Sequence, residues 1–376
     1  MCKLASIVVA GLLGLAGLAA CAPAPTTPAA SPTASASAPA APGDELQTLI
    51  DGARQEGQLV LVWSENTAGG SEGIRRWTEG FNRLYGLNLT VQFTPGPSMP
   101  EVAAKVSQEY QAGRPATSDI LTGAETLIAS LIEANVLEPV DWQSWAPNIR
   151  DPRLLAPGGT AVAAASRAPG ITYNTQRLTG DAVPTTLQDL LKPRYKGRIA
   201  STSYAAFWDR VATPEIWGEQ RTIDYVTRLA DQVAGLTRCG ESERLATGEF
   251  DLLAIDCGGD EARKGQAAGA PLGYVIPSDA AMVAYWYMAV PRNARHPNTA
   301  KLWINYVLSR EGQDVLYQLA FTDQHLVPGS KTVGDIEALQ ARGIKVTELG
   351  VDFVQRNGAQ DLARLQDDMR RILQKQ

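Results

Sequence analysis

Histidine is nearly absent from this sequence: only His296 and His325 occur among 376 residues. With two histidines so far apart, neither an HExxH zinc motif nor a local pair of histidine ligands can be drawn. The chain also lacks a GxxxxGK[ST] phosphate-binding loop. These absences argue against the zinc-hydrolase and P-loop NTPase mechanisms.

Positive charge is also scarce. The chain has 34 Lys and Arg residues against 40 Asp and Glu residues, a formal net charge of −6, and no basic run longer than a pair. A nucleic acid is therefore not expected as a partner. The hydrophobic content of 44% is enough for two domains with cores of their own.

The first 20 residues open with Met1-Cys2-Lys3 and continue through an apolar run rich in Ala, Gly and Leu. This run is shorter and weaker than a comfortable membrane-spanning helix, so residues 1–20 are interpreted as a signal peptide. Leu18-Ala19-Ala20-Cys21 resembles the bacterial lipobox, which implies a lipoprotein with Cys21 as the lipidated N-terminus. An uncleaved anchor and a plain signal peptide with a chance cysteine are the alternatives.

A segment without charge follows the lipobox. Residues 22–43 consist almost entirely of Ala, Pro, Ser and Thr, and they contain almost no large apolar side chain. Such a segment cannot bury enough surface to fold, and its prolines keep it extended. Cys21 and residues 22–43 are therefore predicted to be a disordered tether that holds a globular body at a membrane.

The body that follows predicts an α/β fold. Apolar strands at 59–63, 87–93 and 118–121 are each followed by an amphipathic helix, which is typical of a parallel sheet with right-handed crossovers. Residues 160–173 are predicted as one long strand that crosses into a second α/β block, with strands at 198–200 and 252–255. An apolar stretch after Gly273 predicts the return crossing.

Polar residues and glycines gather where these strands end. In open α/β sheets, ligands bind beyond the carboxyl ends of the strands, where backbone N–H groups and helix N-termini are accessible. Helix capping is the alternative role for Thr122, and core packing is the alternative role for the aromatic residues. The candidate ligand-binding residues are Ser64, Glu65, Asn66, Thr67, Thr122, Gly123, Glu125, Tyr173, Thr202, Ser203, Tyr204, Asp256, Gly258, Gly259, Asp279 and Tyr285.

Five segments in this order resemble the ABC-transporter extracellular solute-binding proteins of the family that includes the ferric-iron and hexose-phosphate binding proteins. They are residues 116–142, GITYNT at 170–175, 187–200, the GEFDLLAI strand at 248–255, and 270–313. The resemblance implies a type II periplasmic-binding-protein fold, in which two α/β lobes joined by two crossing hinge segments close on a ligand. It implies transport rather than catalysis, and no cofactor.

The resemblance also predicts a domain organisation. Residues 44–165 with 281–330 are expected to form the first lobe and residues 166–280 the second lobe. Residues 331–376 are expected to form a C-terminal helical segment that packs on the lobes. The protein is expected to be a monomer at the cell envelope, lipid-anchored on the periplasmic or outer face, which delivers its ligand to an ABC permease.

The strand exit at 255–259 departs from the ferric-binding members. Those proteins carry a pair of adjacent tyrosines that hold the metal, whereas Gly258 and Gly259 stand at the matching positions here. Asp256, Glu125 and Tyr204 are the residues left to supply anionic oxygens to Fe(III). Glycines instead expose backbone N–H groups, which favours an organic anion, with ferric iron or another metal as the alternative ligand.

Charged groups near the strand exits leave further alternatives. Arg210, Arg263 and Lys264 are the cations nearest to the predicted site, although each is also interpretable as a solvated surface charge. A carboxylate-dependent envelope hydrolase using Asp256 with Asp279 is an alternative of a different class. A sensory binding protein that presents its ligand to a receptor has the same sequence features.

Two cysteines remain after the signal peptide and the lipid anchor are set aside, namely Cys239 and Cys257. In an exported, oxidising setting they are expected to form a disulfide, which would contribute about 3 kcal/mol by restricting the unfolded chain. It would also fix the Gly258-Gly259 loop to the end of the preceding segment. Two buried thiols, or a metal site, are the alternatives.

Overall fold

A computed structural model describes residues 42–65 and 67–375 of the chain. The predicted signal peptide, Cys21, the tether and the candidate residue Asn66 lie outside the described residues. Among the residues described, no helix combines the length and the apolar character that are needed to cross a membrane.

The strands form three sheets in two groups: the middle of the described sequence supplies one group, both of its ends supply the other, and the chain passes between the groups twice. We call strands β1–β4, β10 and β11 the first lobe and strands β5–β9 the second lobe. The strands are β1 (Gln58–Ser64), β2 (Thr90–Gly96), β3 (Leu121–Ala124), β4 (Val162–Arg167), β5 (Gly170–Asn174), β6 (Ile199–Thr202), β7 (Val233–Thr237), β8 (Leu252–Asp256), β9 (Leu272–Val275), β10 (Met282–Ala289) and β11 (Thr347–Leu349).

Helices connect the strands and cover both groups. The helices are α1 (Pro42–Glu56), α2 (Gly70–Tyr85), α3 (Met99–Gln111), α4 (Glu125–Glu133), α5 (Trp142–Trp145), α6 (Trp208–Val211), α7 (Glu219–Ala230), α8 (Glu243–Ala246), α9 (Asp260–Ala267), α10 (Pro297–Val307), α11 (Arg310–Ala320), α12 (Val333–Gln340), α13 (Val351–Asn357) and α14 (Ala359–Leu373). The three predicted strand-then-helix units therefore exist as β1–α2, β2–α3 and β3–α4.

The first lobe differs from the single parallel sheet that its sequence predicted. Strands β1 and β2 are parallel, in register from Gln58 with Thr90 to Ser64 with Gly96. Strand β3, however, runs antiparallel to β10, which also pairs antiparallel with β4 and parallel with β11. Residues Ser118 and Asp119 precede β3 instead of belonging to it, and their side chains accept hydrogen bonds from backbone N–H groups of β1.

The prediction of one long strand over 160–173 is wrong. This stretch contains two strands, β4 in the first lobe and β5 in the second, separated by Ala168 and Pro169. Proline has no N–H to donate, so the ladder cannot continue through Pro169. The chain crosses to the second lobe at this break and returns between Val275 and Met282.

The second lobe is a five-stranded mixed sheet in the order β7-β6-β8-β5-β9. All five residues of its central strand, β8, are buried, as the uninterrupted apolar run predicted. Strand β6 is parallel to β7 and β8, whereas β5 is antiparallel to β8 and β9.

The C-terminal segment packs against elements of both lobes. Helix α13 contacts α4 of the first lobe, and α14 contacts α6 and α7 of the second lobe. Gly358 joins α13 to α14 with a φ of 77°, which an L-residue rarely adopts. The segment is not wholly helical as predicted, because β11 extends the first-lobe sheet beside β10.

A disulfide links the ends of two second-lobe strands. Cys239 follows β7 and Cys257 follows β8; their sulfurs are bonded, and their Cα atoms are 5.6 Å apart. The disulfide pairing expected from the sequence is therefore present in this structure.

Candidate functional site

Two chambers have both Arg167 and Trp286 in their walls; the first lies between the lobes, whereas the second has no residue of β5–β9 in its wall and belongs to the first lobe. The aromatic chamber, of about 450 Å³, has Tyr204, Phe207 and Tyr285 in its wall. The hydroxyl chamber, of about 340 Å³, has Ser64, Thr67 and Thr322 in its wall. Arg167 and Trp286 therefore form the boundary that the two chambers have in common.

Arg167 and Trp286, the two residues that line both chambers, lie where their strands end or are irregular. Arg167 is the last residue of β4, directly before the crossing at Pro169. On the neighbouring strand, the β4–β10 register shifts between Trp286 and Tyr287. Such a bulge changes the direction of the adjacent side chain, and bulges are frequent next to binding sites.

Arg167 is the more accessible cation of the cleft. Its side chain is 42% exposed, and one of its Nη atoms lies 3.3 Å from a carboxylate oxygen of Asp260, the first residue of α9. This separation is longer than that of a strong charge-assisted hydrogen bond, so the guanidinium has hydrogen-bonding capacity left for an anion.

A second arginine is enclosed by two carboxylates. Arg210 in α6 donates from Nη2 to Glu125 Oε1 at 2.6 Å, and it is also hydrogen-bonded to Asp209. Burial opposes the positive charge of Arg210, but Asp209 and Glu125 outweigh this effect and raise its pKa. Since Glu125 begins α4 in the first lobe, this ion pair joins the two lobes.

Asp209 is the most strongly desolvated member of that group. Burial raises the pKa of its carboxyl above the usual value, although the charge of Arg210 opposes the shift. Its Oδ1 is buried and has no hydrogen-bond partner among the described residues. Thr122 Oγ1, close along the chain to Glu125, is likewise buried without a partner.

The C-terminal helix α14 completes the wall of the aromatic chamber with Leu362 and Gln366. Gln366 donates from Nε2 to the carbonyl oxygen of Tyr204 at 3.0 Å, and Gln374 donates to the carbonyl oxygen of Ser203 at 2.8 Å. An exposed ion pair between Arg364 and Glu219 adds a third contact with the second lobe.

Six of the candidate residues line one of the two chambers. Ser64, Glu65 and Thr67 line the hydroxyl chamber. Glu125, Tyr204 and Tyr285 line the aromatic chamber, which Cys257 of the disulfide also borders. The exits of β3, β6 and β8 therefore meet at the aromatic chamber, whereas the exit of β1 lines the hydroxyl chamber instead.

Other candidate residues have contacts within the protein. Thr202 Oγ1 accepts from Ala206 N at 2.7 Å, and the backbone N–H of Ser203 bonds Thr237. Tyr173 packs against Gly273 of the adjacent strand β9. Gly123 pairs with Tyr287 in the first-lobe sheet.

Asp256 and Asp279, the carboxylate pair of the hydrolase alternative, have separate environments. Asp256 accepts from Thr172 Oγ1 at 2.7 Å and from Cys257 N at 2.9 Å, and burial raises its pKa to about 6. Asp279 accepts from the backbone N–H groups of Leu187 and Gln188 at 2.8 and 3.2 Å. Neither carboxylate lines either chamber.

The glycines after β8 are closely surrounded. A Cβ on Gly258 would lie 2.7 Å from Asp260 Oδ1, and a Cβ on Gly259 would lie 2.9 Å from the ring of Tyr274. This part of the site therefore leaves no room for the adjacent tyrosines of the ferric-binding members. The described residues also hold no group of three or more His, Cys, Asp or Glu side chains able to bind a metal ion.

The other two cations named from the sequence, Arg263 and Lys264, line neither of the two chambers. Arg263 is paired with Asp335, and Lys264 has a side chain that is 63% exposed and lies 3.8 Å from Glu261. Arg167, Phe207 and Asp209 were missed, and Trp286, an aromatic residue of the predicted return crossing, was not among the candidate ligand-binding residues. Only Arg167 had a sequence signal, its place directly before the Ala-Pro break.

One further motif has the G-x-S-x-G spacing of a nucleophile elbow, GGSEG at 69–73. Ser71, its serine, is exposed in the first turn of α2, after β1 has ended. The buried pair of His296 and Asp119 lies at the other end of β1, where His296 Nε2 is 3.0 Å from the side-chain nitrogen of Gln58. The motif is therefore not part of a serine triad.

The sequence of this chain is similar to those of known binding proteins. The family described as bacterial extracellular solute-binding protein matches residues 116–332. The Fe(3+)-binding periplasmic protein of Serratia marcescens is 24% identical over 282 residues, 69% of this chain and 80% of that protein. An uncharacterized protein of Haemophilus influenzae is 30% identical over 161 residues, but the match spans 40% of this chain and only 45% of that relative.

Solved structures give the same fold. A putative extracellular solute-binding protein from Bordetella parapertussis superimposes with a TM-score of 0.66 at 17% identity, covering 84% of this chain and 99% of its own. The periplasmic binding protein AfuA from Actinobacillus pleuropneumoniae, with fructose-6-phosphate bound, gives a TM-score of 0.55 at 20% identity, covering 85% and 97%. The expected type II periplasmic-binding-protein fold is confirmed.

Proposed function

The chain belongs to the bacterial extracellular solute-binding protein family, and from this premise we propose that it is the substrate-binding component of an ABC importer. It captures a small organic solute with an acidic group between its two lobes and delivers it to a permease in the membrane. Lipid on Cys21 holds it at the membrane, and the tether over 22–43 gives the body reach.

The observation that carries the acidic-group assignment is the position of Arg167. Arg167 borders both chambers, and among the described residues its guanidinium has one ion-pair contact, at 3.3 Å, to Asp260. A carboxylate or phosphate at this point would gain bidentate, charge-assisted hydrogen bonds. The hydroxyl groups of Ser64 and Thr67 provide neutral hydrogen-bonding partners for the rest of the solute.

Ferric iron is a second candidate because a curated relative is an Fe(3+)-binding periplasmic protein. Tyr204 and Glu125 are oxygen-bearing side chains in one chamber wall, and oxygen ligands suit Fe(III), but the hydroxyl of Tyr285 in the same wall is fully buried. The close packing around Gly258 and Gly259 favours the organic solute, because the tyrosine pair of the ferric-binding members has no counterpart at these positions.

A thermal-shift screen of the mature body tests the proposal. Phosphorylated sugars, carboxylates, polyamines and Fe(III) are compared, since a ligand at 100 times its Kd stabilises the folded state by about 2.7 kcal/mol. We expect stabilisation by an acidic organic compound, and Arg167→Gln should lower that stabilisation by about half or more. The matched control, Arg342→Gln, removes an exposed arginine that follows α12 and donates to the carbonyl oxygen of Ala338.

The iron alternative has its own readout. Elemental analysis of the purified protein, and stabilisation by Fe(III) that Arg167→Gln leaves intact, would overturn the organic-solute proposal. If neither the acidic compounds nor iron stabilises the protein while a polyamine does, the acidic-group assignment is also wrong.

A further inference from the structure

We propose that the solute also carries a cationic nitrogen, which the aromatic chamber holds between its rings and the free carboxylate oxygen of Glu125 while Arg167 binds the acidic group. This inference rests on the proposed function and narrows its substrate class to bipolar solutes. The proposed function requires only an acidic group that Arg167 binds, whereas this inference also requires a positive charge on the solute.

The first argument is a group of three buried charges in the chamber wall, two carboxylates and one guanidinium. Glu125, Asp209 and Arg210 are 2%, 1% and 9% exposed, so all three are at least nine-tenths buried. Two carboxylates share this one guanidinium, a formal excess of one negative charge within these three residues, and burial raises the pKa of Asp209, which favours its protonated form. Buried charge is costly unless it is paired, so a ligand cation placed here gains an attraction that a neutral group does not.

The second argument is the free oxygen of Glu125. Its Oε1 accepts from Arg210, whereas its Oε2 receives no hydrogen bond from any described residue. Oε2 is also not among the fully buried polar atoms without a partner, so it retains contact with the open space of the chamber. A nearly buried carboxylate with one oxygen free toward a cavity is suited to an ammonium or guanidinium donor.

The third argument is the aromatic wall. Tyr204, Phe207, Tyr285 and Trp286 all border the chamber. Cations are attracted to the faces of such rings, and aromatic cages with a nearby carboxylate are a recurrent solution for binding alkylated ammonium groups. One ring is already used in this way within the protein, because the Arg210 guanidinium carbon lies 5.7 Å from the Phe207 ring centre.

The fourth argument is the relation of the two sites. Arg167 belongs to the wall of the aromatic chamber as well as to the wall of the hydroxyl chamber. A solute whose acidic group contacts Arg167 can therefore extend its other end toward Glu125 inside a space of about 450 Å³. This volume suits a short chain with a substituted nitrogen.

Matched probes separate the cationic nitrogen from shape and from the acidic group. The first probe is 4-(trimethylammonio)butanoate; the second is 5,5-dimethylhexanoate, in which carbon replaces the nitrogen; the third is the amide of the first, which lacks the acidic charge. Homologues with spacers from one to five methylene groups extend the series, and unmethylated ω-amino acids accompany them. Binding is measured by thermal shift and calorimetry on the mature body.

We expect at least one bipolar compound to bind about tenfold or more tightly than both its carbon isostere and its amide. Glu125→Gln should remove the preference for nitrogen over carbon while the carbon isostere still binds. Glu133→Gln, an exposed position at the end of the same helix, should leave the preference unchanged.

Three outcomes overturn the inference. The first is that the carbon isosteres bind as tightly as the bipolar compounds. The second is that no bipolar compound binds although other acids do, and the third is that Glu125→Gln keeps the preference for nitrogen. In each of these cases acids still bind and the proposed function stands. If no acidic compound of any kind binds, the proposed function fails first, and this inference fails with it.

Discussion

Glu125 Oε1 and Arg210 Nη2 lie 2.6 Å apart, and this contact joins the first helix turn after β3 to the short helix α6 of the other lobe. Both side chains are almost completely buried. Closure of a two-lobed binding protein is governed by contacts that exist only when the lobes meet. The ion pair is therefore a contribution to closure from the protein itself, in addition to any contribution from the solute.

The ion pair gives the first prediction. Arg210→Ala should lower the free energy of unfolding by about 3–5 kcal/mol, because it leaves Glu125 and Asp209 buried without a cation. Urea unfolding measures the loss, and small-angle scattering should report a larger radius of gyration. Arg364→Gln, which breaks the exposed pair with Glu219, should cost no more than about 1 kcal/mol. Equal costs for the two variants would contradict the assigned role.

The glycine pair gives the second prediction. Gly259→Ala should lower stability by about 1–3 kcal/mol, since the added Cβ would meet the ring of Tyr274. Gly334→Ala is the matched control: it lies in α12 with open space around it and should be neutral or stabilising by up to about 1 kcal/mol. Denaturation midpoints at constant m-value measure both changes.

The buried carboxyl of Asp256 should make the free energy of unfolding depend on pH. Burial raises its pKa from 3.8 to about 6, so the folded protein favours the protonated carboxyl. This contribution to stability is complete below pH 3.8 and is lost as pH rises through 6, a decrease of about 3 kcal/mol. The difference in unfolding free energy between wild type and Asp256→Asn should show this decrease between about pH 4 and 7. A pH-independent difference would show that the carboxyl is not desolvated.

The disulfide is expected to support both stability and the aromatic chamber. Replacing Cys239 and Cys257 together by serine should cost about 2–4 kcal/mol in unfolding free energy. Because Cys257 borders the chamber and Cys239 N donates to the hydroxyl oxygen of Tyr204, solute affinity should also fall. The oxidised wild type and the variant are compared by urea unfolding and calorimetry; unchanged affinity would separate the disulfide from the site.

The lipid anchor is tested by fractionation. Cys21→Ala should release the exported protein from the membrane fraction and prevent incorporation of labelled fatty acid. Ser35→Ala, at a position within the tether, is the control and should change neither result. Membrane association that persists in Cys21→Ala would favour the uncleaved anchor.

The succession of strands and helices along the chain could be predicted because buried strands carry a local signal in the sequence. Runs such as Leu252–Asp256 are buried on both faces and therefore apolar throughout most of their length. Periodicity does not reveal pairing partners, so the antiparallel contact of β3 with β10 was not predicted. Apolar character alone predicted one strand over 160–173, whereas Pro169, which has no N–H to donate, separates β4 from β5.

The candidate site was predicted in part for a related reason. Glu125 and Tyr204 follow β3 and β6 closely, so chain order alone predicted them as cleft residues, and both line the aromatic chamber. Phe207 and Trp286 depend on a left-handed backbone conformation and on a strand bulge, which carry no periodic signal. Leu362 reaches the chamber from a C-terminal helix, whose position is set by tertiary packing.

Calorimetric titration of the mature body with the most stabilising acidic compound is the most direct test of the central claim. Wild type and Arg342→Gln should bind with the same Kd, whereas Arg167→Gln should bind about tenfold or more weakly, since it loses a charge-assisted contact. Wild-type affinity in Arg167→Gln would contradict the account, and so would tight, stoichiometric binding of Fe(III) that all three proteins share.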